Sequence, residues 1–382
     1  MKVLIITFGF PNKNNPQLGN FMIDQAIALR NNGIDIAMLA IRRDSSASNK
    51  KFFGLNYWEF KGIKCFEFTG LPLKSFKKFI NFKFGEFLEK SIINYIIPSI
   101  IKKFGKPDLI HAHYLSNISY GIFLKEKLNI PLLATEHWSK LATDNPSPFI
   151  MREAKQYYPK VDQLITVSPF LHTKILKNFG VSSIVIPNIL GQEFINPKII
   201  PNDNEKFTFI AVGSLLHVKG YDILLEAVKK LNLPPDKWIL KIIGKGPLIN
   251  RLNKYVIENN LENNIFLLGQ KNKHEIVSEL RKSDCFILSS RSETFGVVII
   301  EALSQGLPVI ASDCGGTKDL IDDSNGLLVP TNNPSLLAKA MEDVFFHFDK
   351  YNNFKISNDC ILKFSPTKIA EDIISVYQKL LY

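Results

Sequence analysis

The feature that most limits the possible folds of this 382-residue chain is a repeated alternation of short apolar runs with longer amphipathic stretches. Such alternation is typical of parallel strands connected by helices that cover the sheet. The pattern begins at the first residues and starts again after the middle of the chain, so it predicts two Rossmann-like halves. The predicted strands are 2–8, 35–41, 108–114, 131–137 and 163–168 in the first half, and 207–213, 238–244, 264–269, 284–290 and 307–312 in the second.

The boundary between the two halves is predicted within 186–206, a stretch rich in Pro and Asn. A chain of this length exceeds the usual size of one hydrophobic core, which agrees with two domains. We therefore expect a first domain at 1–190, a linker at 191–206, a second domain at 207–365 and a terminal amphipathic helix within 366–382.

Composition is that of a globular protein, with 46% hydrophobic and 22% charged residues. The four cysteines are far apart and form no C-x-x-C pair, which argues against a disulfide framework or a zinc knuckle and favours a reducing compartment. The N-terminal apolar run lacks a small-residue cleavage site, so it is predicted to be a strand and not a signal peptide. The most apolar later stretch, 91–101, is too short to span a bilayer. These features predict a cytoplasmic protein.

The formal charge of +11 is unevenly distributed along the chain. Residues 1–190 hold 25 Lys and Arg against 13 Asp and Glu, a net of +12, whereas the remainder holds 22 against 23, a net of −1. Residues 71–107 alone hold eight Lys against two Glu, interleaved with aromatic and aliphatic residues. A basic amphipathic segment of this kind can lie on an anionic membrane surface. The alternative is a helix packed on its own domain with its lysines in water.

Polar residues that follow the predicted strands are the candidate site residues, because ligands of parallel α/β sheets lie beyond the carboxyl ends of the strands. In the first half these are His111 and His113, which are two apart and share one face of a strand, and His137 with Trp138 after the next strand. Without a carboxylate or cysteine at ligand spacing, we interpret His111 and His113 as a cleft wall and not as a metal site. His137 is a candidate proton handler or hydrogen-bond donor to a substrate.

Several loops are candidates for binding an anion. The loop 9–21 does not read G-x-G-x-x-G, so the dinucleotide fingerprint fails after the first strand. It can still bring backbone amides to an anion where a helix opens at Gly19, or it can be an ordinary connection. In the second half, glycine-containing turns follow three strands, at Lys219, at 242–247 and at 313–321. Together they predict three glycine-opened helices around a nucleotide or phosphate site, with Lys219 as a mobile cation.

The stretch after strand 284–290 carries two glutamates on either side of a predicted helix start. Thr294 is the predicted N-cap, Glu293 lies in the loop before it and Glu301 lies on the second helical turn. A free carboxylate within the apolar run around Glu301 would be costly, so Glu301 needs a partner, either the ribose hydroxyls of a nucleotide or an internal Lys or Arg. The amides of Gly296 and Val297 would lack helical acceptors and could bind a diphosphate.

Taken in order, these stretches resemble the retaining glycosyltransferases of group 1, family 4, over essentially the whole chain. The most specific element is the E-x7-E motif from Glu293 to Glu301. The other matching stretches are VGSLLHVKG, IIGKGP, SDCGGTKDLI followed by NGLLVP, DLIHAHY, TEHWS, and LITVSPF leading to VIPN. The resemblance implies the GT-B fold, an α/β architecture of two Rossmann-like domains with parallel sheets facing a central cleft. It also implies an N-terminal acceptor domain, a C-terminal donor domain and a C-terminal helix that crosses back to the N-terminal domain.

The resemblance implies roles for the residues around the second helix start. Glu293 would contact or orient the donor sugar, and Glu301 would bind the ribose. Phe295, Gly296 and Val297 would hold the diphosphate through their backbone amides.

Other loops receive roles in the same way. Lys219 would stabilise the departing nucleoside diphosphate, and Gly19 would approach the phosphates when the domains close. His137 would line the catalytic cleft near the transferred sugar. Lys219, His137 and Glu293 are therefore the expected catalytic residues.

The chain departs from the family at Ser214, where many relatives carry an arginine. A serine cannot provide a bidentate guanidinium, so phosphate neutralisation would rest on Lys219 and the helix dipole, with His217 as a further contributor. The absence of a D-x-D triplet from the sequence predicts a metal-independent reaction. With the leaving group held on one face, the acceptor hydroxyl would attack from that same face and retain configuration. Glu293 as a covalent nucleophile is the alternative.

The expected activity is transfer of a hexosyl unit from a nucleotide-diphosphate sugar, with no further cofactor, to a hydroxyl of a glycan or lipid-linked acceptor in cell-envelope polysaccharide or glycolipid biosynthesis. The protein is expected in the cytoplasm or peripherally on the inner face of the membrane, with no nucleic-acid partner. A sugar-nucleotide epimerase or phosphorylase of the same fold, or a non-catalytic nucleotide-sugar binder, are the alternatives. An NAD-dependent oxidoreductase is excluded because neither half carries G-x-G-x-x-G after a strand.

Overall fold

The structure, a computed structural model, describes residues 1–12, 18–42, 54–70, 82–198 and 205–382, and only the backbone of 82–86. Parts of the predicted loop 9–21, of the basic segment 71–107 and of the linker therefore lie outside the described residues. The chain divides into two α/β units. One comprises Met1–Ile189 with Pro366–Tyr382, and the other comprises Leu190–Ser365.

The first unit contains an eight-stranded sheet of order β3-β4-β2-β1-β5-β6-β7-β8. All neighbouring strands are parallel except β3 and β4, which form an antiparallel hairpin at the edge. The strands are β1 (Lys2–Thr7), β2 (Asp35–Arg42), β3 (Gly54–Phe60), β4 (Ile63–Thr69), β5 (Leu109–His113), β6 (Leu132–Glu136), β7 (Gln163–Thr166) and β8 (Ile184–Val185).

Helices pack on both faces of this sheet, and the last of them comes from the end of the chain. They are α1 (Asn20–Asn31), α2 (Phe82–Phe104), α3 (Leu115–Leu128), α4 (Pro148–Tyr157), α5 (Pro169–Phe179) and α12 (Pro366–Leu381). In α12, Ile369, Ile373 and Tyr377 recur at four-residue spacing and form one buried stripe. This stripe shares a core with Met22 and Leu29 of α1, so the terminal helix belongs to the first unit, as the GT-B fold implies.

The second unit contains a six-stranded, entirely parallel sheet of order β11-β10-β9-β12-β13-β14. Its strands are β9 (Phe207–Val212), β10 (Trp238–Ile243), β11 (Ile265–Leu267), β12 (Cys285–Leu288), β13 (Val309–Asp313) and β14 (Gly326–Pro330). Its helices are α6 (Tyr221–Val228), α7 (Ile249–Glu258), α8 (Lys273–Leu280), α9 (Val297–Ser304), α10 (Pro334–Phe346) and α11 (Asn353–Phe364).

Each sheet reverses its strand order beside its first strand, between β1 and β5 in the first unit and between β9 and β12 in the second. Strands of the second sheet run 3-2-1-4-5-6 in order of the chain, which is the arrangement of dinucleotide-binding Rossmann sheets. Loops that leave the sheet on either side of such a reversal diverge and open a crevice at the carboxyl ends of the strands. The fold therefore marks one position in each unit at which a ligand is expected.

Two features differ from the sequence expectations. The start of the predicted linker 191–206 belongs to the second unit, because Phe194 is fully buried there and its carbonyl accepts a 2.9 Å hydrogen bond from Gln305 Nε2. The β3–β4 hairpin was not predicted, because its outer strand is only half-buried and carries no long apolar run. Its turn, Lys61-Gly62, has positive φ at both residues (47° and 74°), the geometry that favours two-residue hairpins. Among the described helices, none has the length and apolar character to cross a bilayer.

Candidate active site

The carboxyl ends of β9 and β12 carry the two loops that contain most of the predicted site residues of the second unit. The loop after β9 contains Ser214 and Lys219 and leads into α6, and the loop after β12 contains Glu293 and leads into α9. The two strands are neighbours at the point where the strand order reverses. These residues therefore lie where a Rossmann sheet forms its ligand crevice.

An ion pair between Lys219 and Glu293 joins the two loops. Lys219 Nζ donates to Glu293 Oε1 at 2.6 Å, and the two side chains are 25% and 12% exposed. Ser290 Oγ donates to the same carboxylate oxygen at 2.8 Å. A charge-assisted hydrogen bond of this length is among the strong polar contacts in proteins. Two residues separated by more than seventy positions, and predicted separately from sequence, are therefore in direct contact.

The backbone of Glu293 is held by the loop after β13. Glu293 N donates to Cys314 O at 3.1 Å, and Gly316 N donates to Glu293 O at 3.0 Å, so that Glu293 and Gly315 form a parallel bridge. A side chain at Gly316 would collide with the carbonyl of Thr294, so this approach requires glycine. The carboxylate of Glu293 is thus fixed through its backbone as well as through its side chain.

The start of α9 differs by two residues from the prediction. Gly296, with φ of 102°, is the N-cap, whereas the sequence predicted Thr294. A positive φ at this position favours glycine. The Phe295 side chain is buried against Phe364, with ring centroids 5.8 Å apart, and Gly296 is buried too. Val297, the first residue of α9, is half-buried, and as a first-turn residue its amide has no acceptor within the helix.

The glycine turns after β9, β10 and β13 serve different purposes. Gly220 (φ 65°) caps α6 and lies against a carbonyl of the β12 loop, so a Cβ there would collide. Gly244 and Gly246 do not cap α7, whose N-cap is Leu248, but let their loop pass close to the backbone of the β9 loop. The turn after β13 leads into a short 3₁₀ turn at 316–319 and not into an α-helix. The prediction of three glycine-opened helices is therefore correct only for the first turn.

The remaining predicted residues of the second unit lie on the same two loops as Lys219 and Glu293 or on the helix that follows. Ser214 and His217 are exposed on the β9 loop, and Glu301 is half-buried on the second turn of α9. Cys314 is a half-buried free thiol. Burial, and then the charge of Glu293, raise the pKa of this thiol to about 12, so the site holds a neutral thiol of low reactivity.

In the first unit, His111 and His113 project from one face of β5, with ring centroids 4.4 Å apart. Both side chains are fully buried, so neither is exposed on the surface of the first unit, and the prediction that they form a polar cleft wall stays a prediction. His111 contacts the Tyr377 hydroxyl of α12 through Nδ1 and the Thr135 hydroxyl through Nε2, each at 2.7 Å. A helix from the end of the chain reaches this face of the strand. Within the described ranges, no group of three or more His, Cys, Asp or Glu side chains could hold a metal ion.

His137 follows β6 and is held by its neighbours in the first unit. It is 8% exposed, and its Nε2 lies 2.9 Å from Nδ1 of His113. Its ring packs against Phe21 and Tyr114, at centroid distances of 4.9 and 5.1 Å, and Asn188 adds a side-chain hydrogen bond. The orientation of this imidazole is therefore set by the protein.

Burial determines the protonation of this cluster. It lowers the pKa of His113 to about 3, and it lowers the pKa values of His111 and His137 well below 6.5, an effect that the neighbouring histidines reinforce. The three imidazoles are therefore neutral at pH 7. Burial also raises the pKa of Glu136 to about 8, although the Tyr158 hydroxyl donates to its Oε1 at 3.1 Å. Glu136 is therefore mostly protonated at neutral pH.

Gly19 and Trp138 complete the predicted set. Gly19 is the N-cap of α1, so this helix begins at the predicted position. Its φ is 74°, and a Cβ at this position would lie 2.7 Å from the Gly9 carbonyl oxygen, so the position requires glycine. Trp138 is half-buried, with Lys140 Nζ 5.1 Å from its ring centroid.

Sequence reasoning missed the residues that tie these elements together. Arg291 Nη1 and Nη2 donate to the two carboxylate oxygens of Asp222, at 2.9 and 2.8 Å. Ser289 Oγ donates to the carbonyl of Lys219 at 3.1 Å. Tyr377, which orients His111, was missed because it comes from a distant helix. The sequence offered one signal for these contacts, the presence of Arg291 in the same loop as Glu293. Its partner Asp222 could not be predicted from residue spacing.

Comparison with known proteins gives consistent matches in both units. Residues 18–190 match the family Glycosyltransferase Family 4, and residues 192–356 match the family Glycosyl transferases group 1. An uncharacterised glycosyltransferase of Methanocaldococcus jannaschii is 32% identical over 276 residues, which cover 72% of this chain and 76% of that protein. A putative teichuronic acid biosynthesis glycosyltransferase of Bacillus subtilis, TuaC, is 26% identical over 367 residues, which cover 89% and 88% of the two chains.

Solved structures match the whole chain. Sucrose-phosphate synthase of Thermosynechococcus elongatus superposes with a TM-score of 0.79 at 19% identity, covering 100% of this chain and 99% of that one. The HepE protein of Anabaena in complex with UDP superposes with a TM-score of 0.76 at 17% identity, covering 100% of both. These likenesses confirm the predicted GT-B fold. The family matches and the M. jannaschii relative lead to one conclusion: the chain belongs to the glycosyltransferases of group 1, family 4.

Proposed function

We propose that this glycosyltransferase moves a hexosyl unit from a nucleotide-diphosphate sugar to a hydroxyl of a glycan or lipid-linked acceptor, with retention of configuration. The observation that carries the proposal is the Lys219–Glu293 contact at the β9/β12 reversal, three residues before the N-cap of α9. A cation, a carboxylate and a helix N-terminus at one crevice suit a ligand that combines an anionic diphosphate with sugar hydroxyls. The HepE structures, which hold UDP or UDP-glucose, support this donor class.

Lys219 would neutralise the charge that develops on the departing diphosphate. Its ammonium carries three donor hydrogens, of which one is directed at Glu293 and two can reach phosphate oxygens. The amide of Val297 and the dipole of α9 would add further stabilisation. Preorganised donors of this kind are each worth roughly 10²–10³ in rate, and in this proposal they would act without a metal ion.

Glu293 would position the donor sugar and not attack it. Its Oε1 accepts hydrogen bonds from both Lys219 and Ser290, and these bonds occupy the lone pairs with which that oxygen would attack, so they lower its nucleophilicity. The acceptor hydroxyl would then attack from the face on which the diphosphate departs. Glu301, on the next turn of α9, would accept hydrogen bonds from the ribose hydroxyls.

His137 would contact the transferred sugar as a neutral hydrogen-bonding group. Burial lowers the pKa of this imidazole well below 6.5, which makes it a weak general base near pH 7. Its contact with His113 also holds the ring in one orientation. We therefore assign to His137 a role in placing a hydroxyl, with the proton of the acceptor passing to the leaving phosphate.

For the acceptor, we propose a cell-envelope glycan or glycolipid precursor reached from the cytoplasmic face of the membrane. Support comes from the name of the TuaC relative and from a Klebsiella pneumoniae relative described as a protein in a cps region. On α2, Phe87 and Tyr95 are 62% and 58% exposed, and Lys90 and Lys102 are exposed as well, so the helix presents both apolar and basic groups to solvent. Such a combination suits an anionic lipid surface.

The test of the activity is a thermal-shift screen with UDP-, GDP- and ADP-sugars, followed by a hydrolysis and transfer assay on each hit. We expect one donor to raise the unfolding temperature of the wild type but not that of Lys219→Ala. EDTA should leave turnover unchanged, and NMR should show that the product keeps the anomeric configuration of the donor. An epimerised sugar nucleotide, an inverted product, or donor binding with neither hydrolysis nor transfer would contradict the proposal. Co-sedimentation with anionic liposomes at low and high salt tests the membrane part separately.

A further inference from the structure

The turn that carries Lys219 is bound to the β12 loop through three successive carbonyls. The carbonyl of His217 accepts from Arg291 Nη1 at 2.7 Å, that of Val218 accepts from Arg291 N at 2.8 Å, and that of Lys219 accepts from Ser289 Oγ at 3.1 Å. Every residue of the 3₁₀ turn at 217–219 is therefore held by the loop that also carries Glu293.

Arg291 also binds the helix that follows this turn. Its guanidinium makes two hydrogen bonds, at 2.9 and 2.8 Å, to the carboxylate of Asp222, on the first turn of α6. The two side chains are 22% and 34% exposed. The same guanidinium spans Asp222 and the His217 carbonyl, which a lysine cannot do because it lacks a planar fork. The hydrogen bonds from Arg291 also lower the pKa of Asp222, as expected of a carboxylate held in its charged form.

This bracing matters because a lysine side chain is long and flexible. The position from which Lys219 reaches a ligand depends on its backbone, which lies in a three-residue turn between Leu216 and Gly220. Within that turn, the backbone hydrogen bonds are those from Lys219 N to Leu216 O and from Gly220 N to His217 O. The arginine adds the contacts that tie the turn both to α6 and to the Glu293 loop.

We propose that Arg291 is a positioning residue that holds Lys219 at the distance from Glu293 required for donor binding and turnover. The proposal rests on the proposed function, in which Lys219 binds the diphosphate. Arg291 would act through the Lys219 turn and not through its own contact with the ligand. Because a displacement of about 1 Å in a reacting group can cost about a hundredfold in rate, loss of this brace should be visible in kinetics.

Asp222 separates this role from direct phosphate binding by Arg291. If the guanidinium bound the ligand itself, Asp222→Asn would leave an arginine free to bind and would retain or increase affinity. If Arg291 acts as a brace, Asp222→Asn and Arg291→Gln should have similar effects, and the double variant should be no worse than either single one.

The experiment measures the affinity of the nucleoside diphosphate that binds the wild type most tightly among UDP, GDP and ADP, together with kcat and KM. The variants are Arg291→Gln, Arg291→Lys, Asp222→Asn, Lys219→Ala, and the doubles of Arg291→Gln with each of the last two. Arg281→Gln is the matched control, because Arg281 also makes two hydrogen bonds in the second unit, to Gln305 Oε1 and to the Asn196 carbonyl. Amide hydrogen exchange of residues 214–220 reports on the turn without any ligand.

We expect Arg291→Gln and Asp222→Asn each to lower affinity and kcat about ten- to a hundredfold, Arg291→Lys to recover part of this loss, and Arg281→Gln to have no effect. In the Lys219→Ala background, Arg291→Gln should cause no further loss, because the group it positions is gone. Amide exchange in 214–220, measured without ligand, should be faster in Arg291→Gln and in Asp222→Asn than in the wild type or in Arg281→Gln. The proposed positioning role would be overturned if Arg291→Gln lowered affinity or kcat further in the Lys219→Ala background, or if Asp222→Asn kept full activity. If Lys219→Ala itself left nucleoside diphosphate affinity unchanged, the proposed function would be wrong at that residue.

Discussion

The two units place opposite chemistry at equivalent strand ends. At the β9/β12 reversal of the second unit, Lys219 and Glu293 are charged, partly exposed and paired at 2.6 Å. Close to the β1/β5 reversal of the first unit, His113 and His137 are buried and neutral, because burial lowers their pKa values. The first arrangement suits an anionic ligand, and the second suits hydroxyl groups that donate and accept hydrogen bonds without a change of charge. The same sheet architecture thus holds one electrostatic site and one hydrogen-bonding cluster.

The largest effect is expected from removing the charge of Glu293. Glu293→Gln keeps the shape of the side chain but loses the charge-assisted bonds from Lys219 and Ser290, so we expect kcat to fall by about 10²–10³. The unfolding temperature should change little, because the glutamine amide oxygen can still accept hydrogen bonds from Lys219 and Ser290 and the Lys219 side chain, 25% exposed, keeps access to water. Steady-state kinetics and calorimetric unfolding of the same preparation measure the two quantities.

The matched control for this change is Glu279→Gln. Glu279 forms an ion pair of similar exposure with Lys241, at 3.1 Å, elsewhere in the second unit. It should retain wild-type kcat. If both variants lost activity equally, or if Glu293→Gln lowered the unfolding temperature sharply, the charged strand end would be structural and the contrast between the units would fail.

Particular residues show how far the fold and site could be predicted from sequence. Buried parallel strands such as β1 and β9 form continuous apolar runs, which is why their positions were predicted to within a residue. Lys219 and Glu293 were predicted because each follows such a run. Their mutual contact was not, because it depends on β12 lying beside β9, and strand order is a tertiary property.

The first unit shows why the rest could not be predicted. The spacing of His111 and His113 predicted that they share a face of β5, and this is correct. Whether that face is open or covered depends on Tyr377, which lies 266 residues further along the chain and contacts His111. Burial of this kind arises from long-range packing and leaves no local pattern in the sequence.

A smaller effect, on stability, is expected from His113→Leu. The substitution keeps an apolar filling in the core but leaves the Nε2 atom of His137 without its His113 partner, so we expect the free energy of unfolding to fall by about 1–3 kcal/mol at pH 7.5. Urea unfolding, followed by a probe in the first unit, measures it. His172→Leu is the matched control, because the half-buried His172 contacts Ser183 Oγ at 2.8 Å without lying in the cluster, and it should cost less.

The pH dependence of this variant identifies the cause. The folded pKa of His113, about 3, lies below the ordinary value of 6.5, so the wild type gains stability from its neutral imidazole above pH 6.5 and loses it as the pH falls towards 3. Leucine has no such loss. The difference in free energy of unfolding between the wild type and His113→Leu should therefore shrink by up to about 1.4 kcal/mol per pH unit below pH 6.5. A difference that stayed constant from pH 7.5 to 5 would show that the imidazole is not held neutral, and the contrast with the charged unit would be lost.

The smallest effect is expected from Glu136→Gln, and it has the opposite sign with pH. Burial raises the pKa of Glu136 from 4.5 to about 8, so the folded state keeps a proton that the unfolded state releases. The contribution of Glu136 to the free energy of unfolding is therefore fully present below pH 4.5 and is lost as the pH rises through 8. Between pH 7 and 8 the wild type should lose roughly 1 kcal/mol that the glutamine variant keeps, because an amide does not ionise.

Urea unfolding at the two pH values measures the difference, and Tyr158→Phe, which removes the donor to Glu136 Oε1, should enlarge the loss. If the glutamine variant showed the same alkaline loss as the wild type, Glu136 would already be ionised at pH 7, and the first unit would carry a buried charge where we infer a neutral group.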